Sequence, residues 1–99
     1  MFDYTGWIVQ ATAGRDEEEI FCVIGVEQEP ERLLLADGKR RKAARPKRKQ
    51  LGHVRPLSGD PSEFDHLTIQ KLKQGEPVSD RELRRALAAF KEGITLGER

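Results

Sequence analysis

Between Leu33 and Lys49 the chain passes from three consecutive leucines into eleven positions, Lys39 to Lys49, of which eight are Lys or Arg and none is acidic. So many like charges repel one another and cannot share a core, so this run belongs to a surface or a solvated arm. The passage is made at Asp37-Gly38. Asp-Gly between two runs is the strongest short hairpin signal, because a type I′ turn needs positive φ at both central residues. The expectation is therefore a strand over Arg32–Ala36, a two-residue turn, and a second strand that opens at Lys39 and carries the basic run through Ala44. Pro46 lacks a ladder donor, so it ends that strand or places it on a sheet edge.

Two further segments, Gly6 to Ala13 and Ile20 to Val26, are rich in aromatic and β-branched residues and are separated by the polar connection Gly14 to Glu19. They predict two strands joined by a loop, and Leu51 to Arg55 can add one more. Four or five short strands within residues 1–56 predict a small, strongly bent barrel. After the sequence PLSGD the character changes to helix. Asp60 is placed as a cap, Pro61 at the first helical position and Glu63 in the first turn, followed by Phe64, Leu67, Ile69 and Leu72 up to Gly75. A second helix has Ser79 and Glu82 as a capping box, Leu83, Ala86, Leu87 and Phe90 on one face, and Gly93 as its stop. The predicted fold is mainly β: a small SH3-like barrel of four or five strands over residues 1–56, followed by two short C-terminal α-helices over residues 57–99.

Ninety-nine residues support one small domain rather than two independent cores. The longest apolar stretch, Ile20 to Val26, falls far short of the roughly 20 residues that cross a bilayer, and the opening MFDYTGW lacks the pattern of a signal peptide. The expectation is a soluble, cytoplasmic protein with no membrane partner. Cys22 is the only cysteine; lying in an apolar block, it reads as a buried structural thiol rather than half of an internal disulfide. His53 and His66 have neither Cys nor His at metal-ligand spacing, so no metal site is expected. Ser58, His53 and Asp60 contain the residue types of a nucleophilic triad, but nothing resembles a nucleophile elbow. Gly6, Gly14 and Gly25 are too scattered to cradle a phosphate. The reading is of a chain that is not an enzyme, with no catalytic residue, no cofactor and no small-molecule substrate.

The net charge is only +1, yet seven of the 17 acidic residues lie between Asp16 and Glu31, while Lys39 to Arg55 holds nine Lys and Arg and no acid. Such blocks mark a surface with a task or a disordered arm. A paired basic hairpin continuing into Arg45 and beyond would present a semi-extended row of cations suited to a phosphate backbone, whose contacts release counterions and carry little sequence information. The candidate RNA-binding residues are Lys39, Arg40, Arg41, Lys42, Arg45, Lys47, Arg48 and Lys49. Arg81, Arg84 and Arg85, opposite the apolar face of the second helix, form either a solvated face or a second RNA contact. Trp7, with Val9 and Ala11 on the same side of its strand, reads as core before it reads as a stacking platform. No recognition helix follows a turn, which disfavours a duplex-DNA reader.

Gly6-Trp7-Ile8-Val9, Ala13-Gly14-Arg15-Asp16 and Phe21 to Val26 together resemble a KOW motif, the β-loop-β element of ribosomal and transcription-factor RNA binders. With the pattern ADGK.RK...PKRK.L.HV over residues 36–54 and the tail KL..GEPVSDRELRRALAAF, the chain is similar to the bacterial KOW-domain RNA-binding family, related to large-subunit ribosomal proteins of the archaeal and eukaryotic type. The resemblance implies an SH3-like barrel, binding to structured RNA with ribosomal RNA foremost, ribosomal proteins as further partners, and no enzymatic activity. It also adds Arg15, in the loop that touches RNA in KOW domains, to the candidates. The chain departs from the pattern at Glu17-Glu18-Glu19, where Lys or Gly is usual, and at Arg40, where an apolar residue is usual. An alternative of another class remains open: a protein-protein interaction module of ribosome- or transcription-associated complexes, using the SH3-like barrel.

Overall fold

The computed structural model describes residues 4–15, 17–58 and 66–97, the last five as backbone only. Strands β1 (Ile8–Ala11), β2 (Ile20–Glu27), β3 (Arg32–Ala36), β4 (Lys47–Lys49) and β5 (Val54–Ser58) precede helices α1 (Leu67–Lys73) and α2 (Asp80–Gly97). The strands form one antiparallel sheet in the order β4-β3-β2-β1-β5. The sheet is not closed, and β4 and β5 are its two edges.

Alternation along the strands divides the apolar residues between two faces. Ile8, Cys22 and Ala36 point to one face, where they meet Ile69 and Leu72 of α1 and Leu83, Leu87 and Phe90 of α2. Val9, Phe21, Val23, Leu33, Leu35 and Val54 form a second cluster on the other face, with Tyr4, Trp7 and Val26 at its margin. Among the described residues no helical side chain belongs to this second cluster, yet Val23 and Leu35 are fully buried. The β2–β3 register skips a residue between Val23 and Gly25, a bulge that bends β2. Trp7 is half-buried and sits edge-to-face on Tyr4 at 4.9 Å. Cys22 is fully buried, and that burial, with a smaller contribution from Asp37, pushes its thiol up to about 12. It is an inert packing residue.

The helices obey local rules where these are strong. Ser79 Oγ accepts from Glu82 N at 3.1 Å and Glu82 Oε1 accepts from Ser79 N at 2.9 Å, so the expected capping box is present. Leu83, Ala86, Leu87 and Phe90 are buried as the spacing requires. Glu82 also accepts from Lys71 Nζ at 2.6 Å and thereby ties α1 to α2. The helix does not stop at Gly93 but runs to Gly97, so it is not short. Glycine inside a helix costs only about 1 kcal/mol relative to alanine and is a weak stop where good helix formers surround it. The cap expected at Asp60, Pro61 and Glu63, with Phe64, lies outside the described residues. The observed α1 opens at Leu67, with His66 Nδ1 accepting from Thr68 N at 3.1 Å.

Two strand expectations fail. Leu51–His53 is a single 3-10 turn, and the strand begins at Val54. That turn is needed because β5 pairs with β1, at the edge opposite β4, and the chain must change direction to reach it. The second failure concerns the basic run. Lys39 to Ala44 is not a strand, and β4 begins only at Lys47, after Pro46. Asp37 has no positive φ, so the turn is not of type I′, although Gly38 has φ 77°. The physical reason is competition for backbone hydrogen bonds, as an Asp side chain binds nearby amides that a ladder would otherwise use.

Candidate nucleic-acid interface

That competition shapes the basic loop, residues 37–46. Asp37 Oδ1 accepts from Lys39 N at 2.8 Å and from Arg41 N at 2.9 Å, while the Arg41 carbonyl accepts from the amides of Asp37 and Gly38. The result is a compact turn closed by one carboxylate. Helix α2 then holds the loop from outside. Asp80 Oδ1 accepts from Ala43 N at 2.7 Å, and Arg84 Nη1 donates to the Gly38 carbonyl at 2.6 Å. A Cβ on Gly38 would stand 3.0 Å from the Asp80 carbonyl carbon and 3.1 Å from Arg84 Cγ. Only glycine admits this approach.

Held in this way, the loop displays Lys39, Arg40, Lys42 and Arg45 to solvent, with Arg41 half-buried. Lys47 is half-buried and Arg48 exposed on the edge strand β4. Lys49 differs from the rest. It is only 8% exposed, stands opposite Leu33 in the β3–β4 register, and donates from Nζ to the Ala13 carbonyl at 2.7 Å. Its stem covers the second apolar cluster and its ammonium is committed to the fold. Arg15 is exposed, two residues beyond Ala13. Arg81, Arg84 and Arg85 lie on the exposed side of α2, and Arg84 alone is joined to the loop by a hydrogen bond among the described contacts.

The acidic and basic blocks, apart in sequence, meet in space. Arg40 Nη1 lies 3.5 Å from Glu19 Oε1, and Arg48 Nε donates to Glu27 Oε1 at 2.7 Å. The hydrogen bond to Glu27, reinforced by its charge, raises the Arg48 pKa further. Both pairs are largely exposed, so each contributes little to stability and can exchange partners with another anion.

The sequence marks Asp37 and Gly38 as a turn but not as the closure of a loop, and it does not mark Asp80 as a residue that holds that loop. Asp37 carried the signal of a turn residue; Asp80 carried only that of an acid in the first turn of a helix. Among the described residues, no three His, Cys, Asp or Glu side chains gather as a metal site, and no helix is long and apolar enough to cross a membrane. No family model matches the chain, and no curated protein matches it either.

Proposed function

We propose that this chain is a non-catalytic RNA-binding protein of the KOW kind, which docks structured RNA, ribosomal RNA foremost, on the basic loop and the adjoining face of α2. The observation that carries this reading is the fixing of Lys39, Arg40, Lys42 and Arg45 on a loop whose backbone is closed by Asp37 and held by Asp80 and Arg84. Cations held on a rigid frame lose less entropy on docking than those of a flexible arm, so they can favour one phosphate arrangement over another. The antiparallel order with β5 beside β1, the bulge in β2 and the full burial of Val23 and Leu35 support a small SH3-like barrel as the finer description of the sheet. Such a protein works in the cytoplasm, on the ribosome or its precursors.

The test is a fluorescence-anisotropy titration against a folded ribosomal RNA fragment, a random single strand of equal length and duplex DNA, each at several salt concentrations. The expected order places the folded RNA first at every salt concentration. Equal affinity for all three would reduce the function to non-specific polyanion binding. A ribosomal protein captured in the presence of nuclease, with no measurable RNA affinity, would replace the reading by that of a protein-interaction module.

A further inference from the structure

Beside the basic loop, α2 and the start of β2 enclose an open groove of about 470 Å³, within the 300–1,000 Å³ usual for small-ligand sites. Its apolar surface comes from Ile20, Leu87 and Ala88. Its rim carries Lys39 and Arg40 from the loop and Arg84 and Lys91 from the helix. Two carboxylates, Glu19 and Asp37, complete the wall. Asp37 is engaged by backbone amides and Glu19 lies against Arg40, so the groove is cationic by two charges.

A phosphate alone would be served by the exposed loop and has no use for an apolar surface. An apolar floor under a cationic rim fits a group that is flat and apolar at one end and anionic at the other. Within an RNA that group is a single unstacked nucleotide, because structured RNA is read at bulges and loops where bases are free to leave the stack. We propose that the groove receives one such nucleotide, its base over Ile20, Leu87 and Ala88 and its phosphate between Lys39 and Arg84. The guanidinium of Arg84 gives one N–H to Gly38 and keeps its remaining fork for the phosphate. Arg40, exposed at the rim, offers its planar face to the base. This inference rests on the RNA-binding reading and names the element of RNA that the site takes.

The experiment compares two hairpin RNAs of identical stem, one with a single-nucleotide bulge and one fully paired, in a titration at fixed salt. The bulged hairpin is expected to bind on the order of tenfold more tightly, the gain usual for one stacked base. Ala88→Phe, at an exposed helix position, fills the groove without changing charge and should remove that preference while leaving affinity for the paired hairpin within about twofold. Ala88→Gln, a better helix former that also narrows the groove, replaces it if Ala88→Phe melts early. Equal binding of the two hairpins by the unmodified protein, or a preference that survives in the variants, would overturn the nucleotide groove and leave the RNA-binding reading intact. Failure to bind either RNA would overturn both.

Discussion

Arg84 and Gly38, 46 residues apart, are joined by a hydrogen bond of 2.6 Å from the guanidinium to the carbonyl. Asp80, one helical turn before Arg84, holds the other side of the same loop through the Ala43 amide. Helix α2 therefore serves two ends: its apolar face completes the core with Leu83 and Leu87, and its polar margin sets the backbone from which the cations project. Stability and the proposed binding surface are coupled through that one helix.

Three glycines separate the effects of backbone angle and close approach. Gly38 combines φ 77° with contact against α2; Gly75 has φ 79° but open space; Gly52 has open space and no positive φ. Changing each to Ala should be nearly neutral at Gly52, cost on the order of 1 kcal/mol at Gly75 and more at Gly38, where helix and loop must also part. Since 1 kcal/mol shifts the melting temperature of a domain this size by roughly 4–8 °C, a thermal melt resolves the three. A Gly38→Ala protein that melts with Gly52→Ala would contradict the packing of α2 on the loop.

Asp80→Ala removes the acceptor of the Ala43 amide without touching a cation. The loop should loosen, seen as faster hydrogen exchange at Ala43, and the preference for folded RNA over a random strand should shrink. The salt dependence should persist, because the charges remain. Asp80→Asn keeps an acceptor oxygen and should retain more of the preference than Asp80→Ala. Unchanged exchange at Ala43 in Asp80→Ala would show that the loop holds its shape unaided.

The parts of this arrangement that sequence disclosed are those written locally. The Ser79/Glu82 box and the face of Leu83, Ala86, Leu87 and Phe90 follow from spacing within one helix, and β2 follows from the aromatic and β-branched residues of one short segment. Asp37-Gly38 was legible as a turn but not as its type, because the Asp37 side chain takes the Lys39 and Arg41 amides, and the loop so closed is held by Asp80 at Ala43 and Arg84 at Gly38, contacts that span 37 and 46 residues. No periodicity carries such contacts. Lys49 was hidden for another reason: in a run of eight cations nothing marks the one that is buried opposite Leu33 and reaches the Ala13 carbonyl. The pairing of Glu19 with Arg40 and Glu27 with Arg48 likewise depends on how the strands align.

The Lys71–Glu82 bridge predicts how stability varies with pH. The hydrogen bond from Lys71, followed by that from the Ser79 amide, holds the Glu82 carboxyl below its usual value, and the same bridge raises Lys71. A depressed acid stabilises the fold fully above its unfolded pKa, about 4.3, and less as pH falls through the folded value. A raised base does so fully below its unfolded pKa, about 10.4, and less as pH rises through the folded value. The bridge should thus stabilise most between these limits. Glu82→Gln should lower the melting temperature at pH 7 and flatten its fall below pH 4.5; an equally steep acid limb in the variant would place the acid sensitivity elsewhere.

The cations of the basic loop should divide by what each already touches. If about five phosphates are engaged, the slope of log affinity against log salt is expected near −3.5 to −4.5. Lys42→Ala and Arg45→Ala, at exposed loop positions, should each flatten that slope by up to about 1. Arg40→Ala removes a cation that must first part from Glu19 and leaves that carboxylate facing the RNA, so its loss of affinity at low salt should exceed that of Lys42→Ala. Glu19→Gln is the converse: it frees Arg40 and should tighten binding by a few-fold at most, the scale of an exposed ion pair. Lys49→Met sets the reference. It keeps an apolar stem over the core but leaves the Ala13 carbonyl without its donor, a cost of about 1–3 kcal/mol, so its melting temperature should fall while the slope of the folded protein stays as it was. A Lys49→Met protein that melts normally and loses one unit of slope would instead place that ammonium on a phosphate and release it from the fold.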